Sequence, residues 1–341
     1  MIWLAWRQFR VQALAALAAL IVLAVVLAMT GPGLAHLYAS SGLGYCPQPG
    51  DCGTATATFL TAVRSDGTYP ALYFLGGAVM YLLPATIGAF WGAPLVAGEL
   101  EAGTFRLAWT QSVTRTRWIA VKLAVAGAAA MIAAGLASLM ITWWAIPIDR
   151  AGGFPAGVTQ LGLLSPPVFA ARGIAPLGYA ALAFVLGVAI GVIIKRTLPA
   201  MAITLALFAA VLFVMPAFIR PALVSPVRAT SPVTVNLADD QMSSNGQIII
   251  PVTNLPGAWI ISNQTITPSG KLFELPAVPA CQTGTQQQCD AWFATQHLRR
   301  KITYQPASRF WTLQVLETGI LLAVAAALAG ACTWRIRRYR P

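Results

Sequence analysis

Few residues in this chain are able to do chemistry, and their spacing narrows what it does. Glu99 and Glu101 sit one residue apart in a short polar stretch, 98–118, that also holds Gly103, Thr104, Phe105 and Trp109. Glu317 stands inside an otherwise uncharged run, roughly two turns from its end at ~1.5 Å per residue. An ionisable group so placed is a functional candidate because it is costly to keep there. It would contact a cationic substrate or relay protons. The plainer alternative places it near the lipid headgroups, supported by Gln314 or water. Cys46 and Cys52 form one close pair and Cys281 and Cys289 another, each among turn residues, while Cys332 lies in an apolar run. Each pair is read as a disulfide facing an oxidising compartment, against the alternative of reduced thiols. These spacings do not match zinc motifs, and His36 and His297 are the sole histidines, so no metal site is expected. No Gly-x-x-x-x-Gly-Lys-Ser/Thr phosphate cradle occurs. Nor do a nucleophile and base cluster. An enzyme or a resident cofactor is therefore not expected, nor is a nucleic-acid partner.

Composition explains what holds these groups. Of 341 residues 57% are hydrophobic and 9% charged, against about 25% charged in soluble domains. Six runs with at most one charged residue each exceed or approach the ~20 residues that cross a bilayer as helix. They are Val11–Met29, ending at Thr30-Gly31-Pro32-Gly33, then Pro70–Ala97, then Val121–Ile146, ending at Pro147 and Asp149, the stretch between Arg172 and Lys195, the stretch between Arg196 and Arg220, and Phe310–Trp334. None alternates as a barrel strand would. The sequence predicts an all-α integral membrane protein of six transmembrane helices. Residues 11–219 hold spans one to five, 310–334 span six, and 335–341 a basic tail.

Twelve of the 22 basic residues fall at the chain ends, in 98–122 and at 195–196. In a six-span protein these share one side. The positive-inside rule makes that side, with both termini, cytoplasmic. Residues 220–309 then form a larger extracytoplasmic loop domain, with strands expected at Gln247–Val252 and near Ala258–Ile261. Residues 1–10, with Trp3, Trp6 and Arg7 at helical spacing, read as an interfacial amphipathic segment in contact with lipid. The 98–118 stretch reads either as a docking element or as an interfacial loop with membrane-facing rings. Ser112 or Thr114 would cap the third span. Gly88-x-x-x-Gly92 and Gly187-x-x-x-Gly191 permit close helix approach, within the subunit or at a dimer seam.

The run Gly-Glu-Leu-Glu-Ala-Gly-Thr (98–104), followed by Leu107 to Ser112 and Arg115 to Lys122, resembles the permeases of type-two ABC exporters, in particular a group common in actinobacteria. The opening Met1 to Gln8 and the stretch Tyr304 to Trp311 are similar to the same group. The resemblance implies a permease subunit in the bacterial cell membrane. It would pair with an identical or related permease and with cytoplasmic ABC ATPase subunits that bind ATP and Mg. It also implies that Glu99, Glu101, Gly103, Thr104, Phe105 and Trp109 belong to the coupling loop, with Trp3, Trp6 and Arg7 in an adjoining interfacial helix. Two other classes remain open: a non-transporting membrane sensor or assembly protein, and a proton-coupled secondary transporter using Glu317. The transported substrate is not legible in the sequence.

Overall fold

The computed structural model describes residues 2–45, 52–103, 114–156, 159–232, 241–242, 248–249, 255, 257–274 and 285–338, without the side chains of residues 2–9 and a few others. The protein is mostly helical, and six helices are long and apolar enough to cross a membrane: Arg10–Ser40, Thr68–Glu101, Thr116–Arg150, Ala175–Ile194, Thr197–Leu223 and Ala307–Arg338. The fourth is the hub. In its most apolar window 72% of residues are buried, against 6% in the first span and 17% in the fifth. The second, third, fifth and sixth spans all pack on it, and the first packs on the third. Span four can be central because it is apolar on every side, as a helix without a polar face must be.

Glycines decide how tightly it is gripped. A Cβ on Gly92 would lie 2.3 Å from the Phe184 carbonyl oxygen, and one on Gly187 would lie 2.2 Å from that of Gly88. The two Gly-x-x-x-Gly motifs thus meet each other within one subunit, second span against fourth. Around this contact the second span widens into a π-helix, Ile87–Gly92, three residues after Pro84. Insertions of this kind bend a helix.

The chain is not all-α as expected. Two short strands, β1 (Phe154–Ala156) and β2 (Thr159–Leu161), pair after the third span. Between spans five and six, β3 (Val227–Pro232), β6 (Trp259–Ile266) and β7 (Arg299–Gln305) form an antiparallel sheet in the order β3-β7-β6. β4 (Gln241–Met242) and β5 (Ile248–Ile249) make a separate pair. A helix, Gln286–Thr295, precedes β7 and opens with a capping box of Thr285 and Gln288. The 220–309 region therefore carries structure of its own, with β6 longer than the apolar stretch suggested.

Several helix boundaries also differ. The first helix runs unbroken over Ile2–Ser40, so residues 2–10 continue into the first span without a break, and Thr30-Gly31-Pro32-Gly33 does not stop it. Its glycines serve close packing instead. A Cβ on Gly31 would lie 3.1 Å from the Trp143 ring, and one on Gly33 2.7 Å from the Tyr69 hydroxyl. Thr30 accepts from Trp144 Nε1 at 3.0 Å, tying the same turn to the third span. Pro147 likewise lies inside the third helix, Arg115–Arg150. Its carbonyl accepts from Ala151 at 3.2 Å as the helix ends.

Candidate functional site

Both ends of the bundle assemble polar side chains. At the end carrying the chain termini, the second span finishes with the helix Ala93–Glu101, whose last residues reach sideways in two directions. Glu99 forms an ion pair with Lys122 of the third span. Lys122 is 6% exposed and lies 4.7 Å over the Trp118 ring. Glu101 accepts from Thr197 at two points, the backbone amide (2.9 Å) and the hydroxyl (2.7 Å). Thr197 begins the fifth helix, so this carboxylate satisfies one of the amide hydrogens that a helix start leaves unpaired and faces its positive dipole end.

The turn between spans four and five makes this contact reachable. Span four ends at Ile194, and span five begins at Thr197. Lys195 takes a left-handed conformation (φ 58°) and donates its amide to Gly191 at 2.9 Å. Beyond Glu101, Gly103 adopts φ 70°, where a glycine ends a helix without Cβ strain. Thr114 caps the third helix by accepting from Arg117 N at 3.3 Å. Thr104, Phe105 and Trp109 lie outside the described residues, as do Ser112, Cys46 and Cys281. The side chains of Trp3, Trp6 and Arg7 are outside them too. Cys52 and Cys289 are each disulfide-bonded; Cys332 is free and buried.

The opposite end holds a denser arrangement. Glu317 has no solvent exposure and receives Arg220 in a two-pronged ion pair, Nε to Oε2 at 2.7 Å and Nη2 to Oε1 at 2.9 Å. Tyr179 of the fourth span donates to Oε1 at 2.7 Å. The Arg220 guanidinium lies 4.0 Å over the Phe169 ring and 5.9 Å from that of Trp259 on β6. Spans four, five and six, the short helix Pro166–Phe169 and the sheet therefore converge on one charged pair.

Gln314, three residues before Glu317, is fully buried and turned elsewhere. Its Oε1 accepts from the amides of Ile174 and Ala175 (3.0 and 2.7 Å), capping the fourth helix. Its Nε2 donates to the carbonyls of Phe169 and Arg172 (3.0 and 3.1 Å). Both Glu317 oxygens are thus engaged by Arg220 and Tyr179, while Gln314 is bonded to backbone groups instead.

Two residues used in the sequence as span boundaries turn out to be interior: Arg220 is 0% exposed and Arg172 2%. Their signal was the presence of Asp149 and Glu317 at comparable depth, because buried charges need partners. Arg172 Nε lies 3.7 Å from Asp149 Oδ2.

No group of three or more His, Cys, Asp and Glu suited to a metal occurs among the described residues. Comparison with known proteins adds one match. Neither the curated proteins nor the solved structures contain a match to this chain. A family model, that of the ABC-2 membrane transporter related proteins, matches residues 17–220, spans one to five and both partners of the Gly-x-x-x-Gly contact. That segment is more than half of the chain, and the protein belongs to the ABC-2 membrane transporter related family.

Proposed function

We propose that this multi-pass membrane protein is the permease subunit of an ATP-binding cassette exporter in the cell membrane. ABC-2 permeases generally work with an ATPase partner and are in general not enzymes themselves. The end carrying both chain termini faces the cytoplasm in this reading, because it concentrates the basic residues. A separate ATPase subunit docks there and hydrolyses ATP with Mg. A second permease, identical or related, completes the membrane unit.

The observation that carries the reading is the bracing of the second span's end. Through Glu99 and Glu101 it is joined to both the third and fifth spans. A push on the loop that follows Gly103 is therefore delivered to three helices together, as a transmission element requires. The test is affinity purification of the tagged chain from its native host, with mass spectrometry of what copurifies. An ABC ATPase in stoichiometric yield is expected. Its absence, under conditions where another ABC exporter of the same cells retains its ATPase, would sink the exporter assignment. Accessibility of single cysteines placed at 103 and 269 to an impermeant maleimide checks orientation: only position 269 should label in intact cells.

A further inference from the structure

The second span, on the half toward the sheet, carries a groove that transmission leaves unused. Phe74, Gly77 and Tyr81 on that span face Leu161, Val168 and Arg172 across a space of about 210 Å³. Sites that enclose a whole small molecule run from about 300 Å³ upward, so this one suits a segment of chain. The hydroxyls that border it are turned away into backbone: Tyr73 donates to the Leu161 carbonyl (3.2 Å) and Tyr81 to that of Pro166 (3.0 Å). Ring faces and aliphatic side chains remain as walls. Phe74 and Leu75 on the same helix are more than half exposed, so the mouth opens on the apolar surface that the bundle presents to lipid.

One feature of the lining is not apolar. Arg172 borders the groove, is 98% buried, and is only loosely paired, its Nε 3.7 Å from Asp149 Oδ2. That distance is too long for a hydrogen bond, and Nε is unsatisfied. Asp149 Oδ1 is unsatisfied as well. A guanidinium carries five N–H donors, and leaving the buried Nε without a hydrogen bond is costly away from water. The Tyr73 ring, 5.4 Å away, holds the group in place without supplying an acceptor. Phosphate and carboxylate oxygens are the acceptors that fit its planar fork.

We propose that this groove holds an alkyl chain of an anionic lipid whose phosphate or carboxylate oxygens accept from Arg172, the rest of the molecule lying in the bilayer. The apolar walls choose a hydrocarbon, the volume limits it to part of one chain, and the buried cation selects the charge of the head. The site stands apart from the transport assignment, since a permease or a sensor would hold such a lipid equally well.

Photolabelling of the full chain in phosphatidylcholine nanodiscs tests it, with three probes bearing the same diazirine-substituted chain: a phosphatidylglycerol, a phosphatidylcholine and a free fatty acid. Adducts are mapped by mass spectrometry. The expected result is labelling in 73–81 and 161–172, several-fold stronger for an anionic probe than for phosphatidylcholine. Which anionic probe dominates tells phospholipid from fatty acid. Gly77→Leu fills the groove, since an added Cβ there meets nothing within 4 Å, and should cut this labelling several-fold. Arg172→Gln should equalise the headgroups while leaving chain labelling in place. Should that variant fail to fold, Gly77→Leu and the headgroup comparison decide. Equal labelling by all three probes, or labelling unchanged by Gly77→Leu, overturns the proposal.

Discussion

At the sheet-side end of the bundle Arg220 and Glu317 meet with no exposure at all, whereas at the end carrying the chain termini Glu101 caps the fifth helix in the open. Both arrangements join span ends through a carboxylate, but their energetics differ. A dry ion pair is held by the cost of separating it, because either partner alone would be an unpaired charge in a low dielectric. An exposed cap has water as a ready substitute and is released cheaply. Lys122 with Glu99 lies between, its ammonium buried and its carboxylate partly exposed. The molecule thus has one end built to stay assembled and another whose ties can be exchanged, as a docking partner would require.

The largest effect that would break this contrast is at the buried pair. Arg220→Met or Glu317→Leu alone should cost about 3–5 kcal/mol, since each leaves its partner charged and buried. Thermal unfolding in detergent, followed by size-exclusion chromatography, would show it as loss of the monodisperse peak. The double variant should recover much of that loss. If the single variants are as stable as wild type, the pair is not the clamp described here.

Close backbone packing should come next. Gly187→Val sets a branched side chain where the Gly88 carbonyl oxygen would lie 2.2 Å from the first added carbon. Overpacking of this kind costs about 1–3 kcal/mol. Gly77→Val, which meets nothing within 4 Å, is the matched control and should unfold at nearly the wild-type temperature. Similar losses for both would mean that these glycines are needed for reasons other than the contact between the second and fourth spans.

Gln314→Leu removes one side chain that satisfies two amides and two carbonyls. Each polar group it leaves buried without a partner should cost about 1–3 kcal/mol, less where water or a neighbouring carbonyl replaces the bond. Gln314→Glu keeps the two accepting bonds and loses the two donated ones. It should still start the fourth helix, which hydrogen exchange at Ile174 and Ala175 would report. Fast exchange there in Gln314→Glu would refute the cap.

How far the sequence revealed these features depended on the range of the forces. All six spans were visible because hydrocarbon burial acts on every residue of a run. The glycine motifs were visible as a spacing, but their use within the subunit emerged only from the packing of Gly187 on Gly88, where an added Cβ would lie 2.2 Å from the Gly88 carbonyl oxygen. Gly31-Pro32-Gly33 was misleading. A helix stop and a notch for Trp143 and Tyr69 use the same residues, and only the third dimension separates them. Arg172 and Arg220 were taken for loop markers because a charge ordinarily stops a span. Their partners, Asp149 and Glu317, stand 23 and 97 positions away, and no local pattern announces such a pair. Phe105 and Trp109 lie outside the described residues, so the coupling loop rests on its resemblance and on the bracing at its start.

The smallest effect on stability, and the most informative for function, belongs to Glu101. Its partner Thr197 keeps a helix-start amide that water can satisfy, so Glu101→Ala should leave the unfolding temperature almost unchanged. What it removes is the tie between the second and fifth spans. If that end of the bundle transmits motion, ATPase should still copurify with Glu101→Ala, but substrate-independent ATP turnover and transport-dependent turnover should separate. Glu101→Gln, which can still accept from Thr197, should retain most of the coupling, whereas loss of the negative charge alone would matter if the carboxylate met a basic group on the ATPase. Equal defects in the Ala and Gln variants would move the role of Glu101 from the fifth span to the partner protein, and the contrast between the two ends would then rest on Glu99 and Lys122.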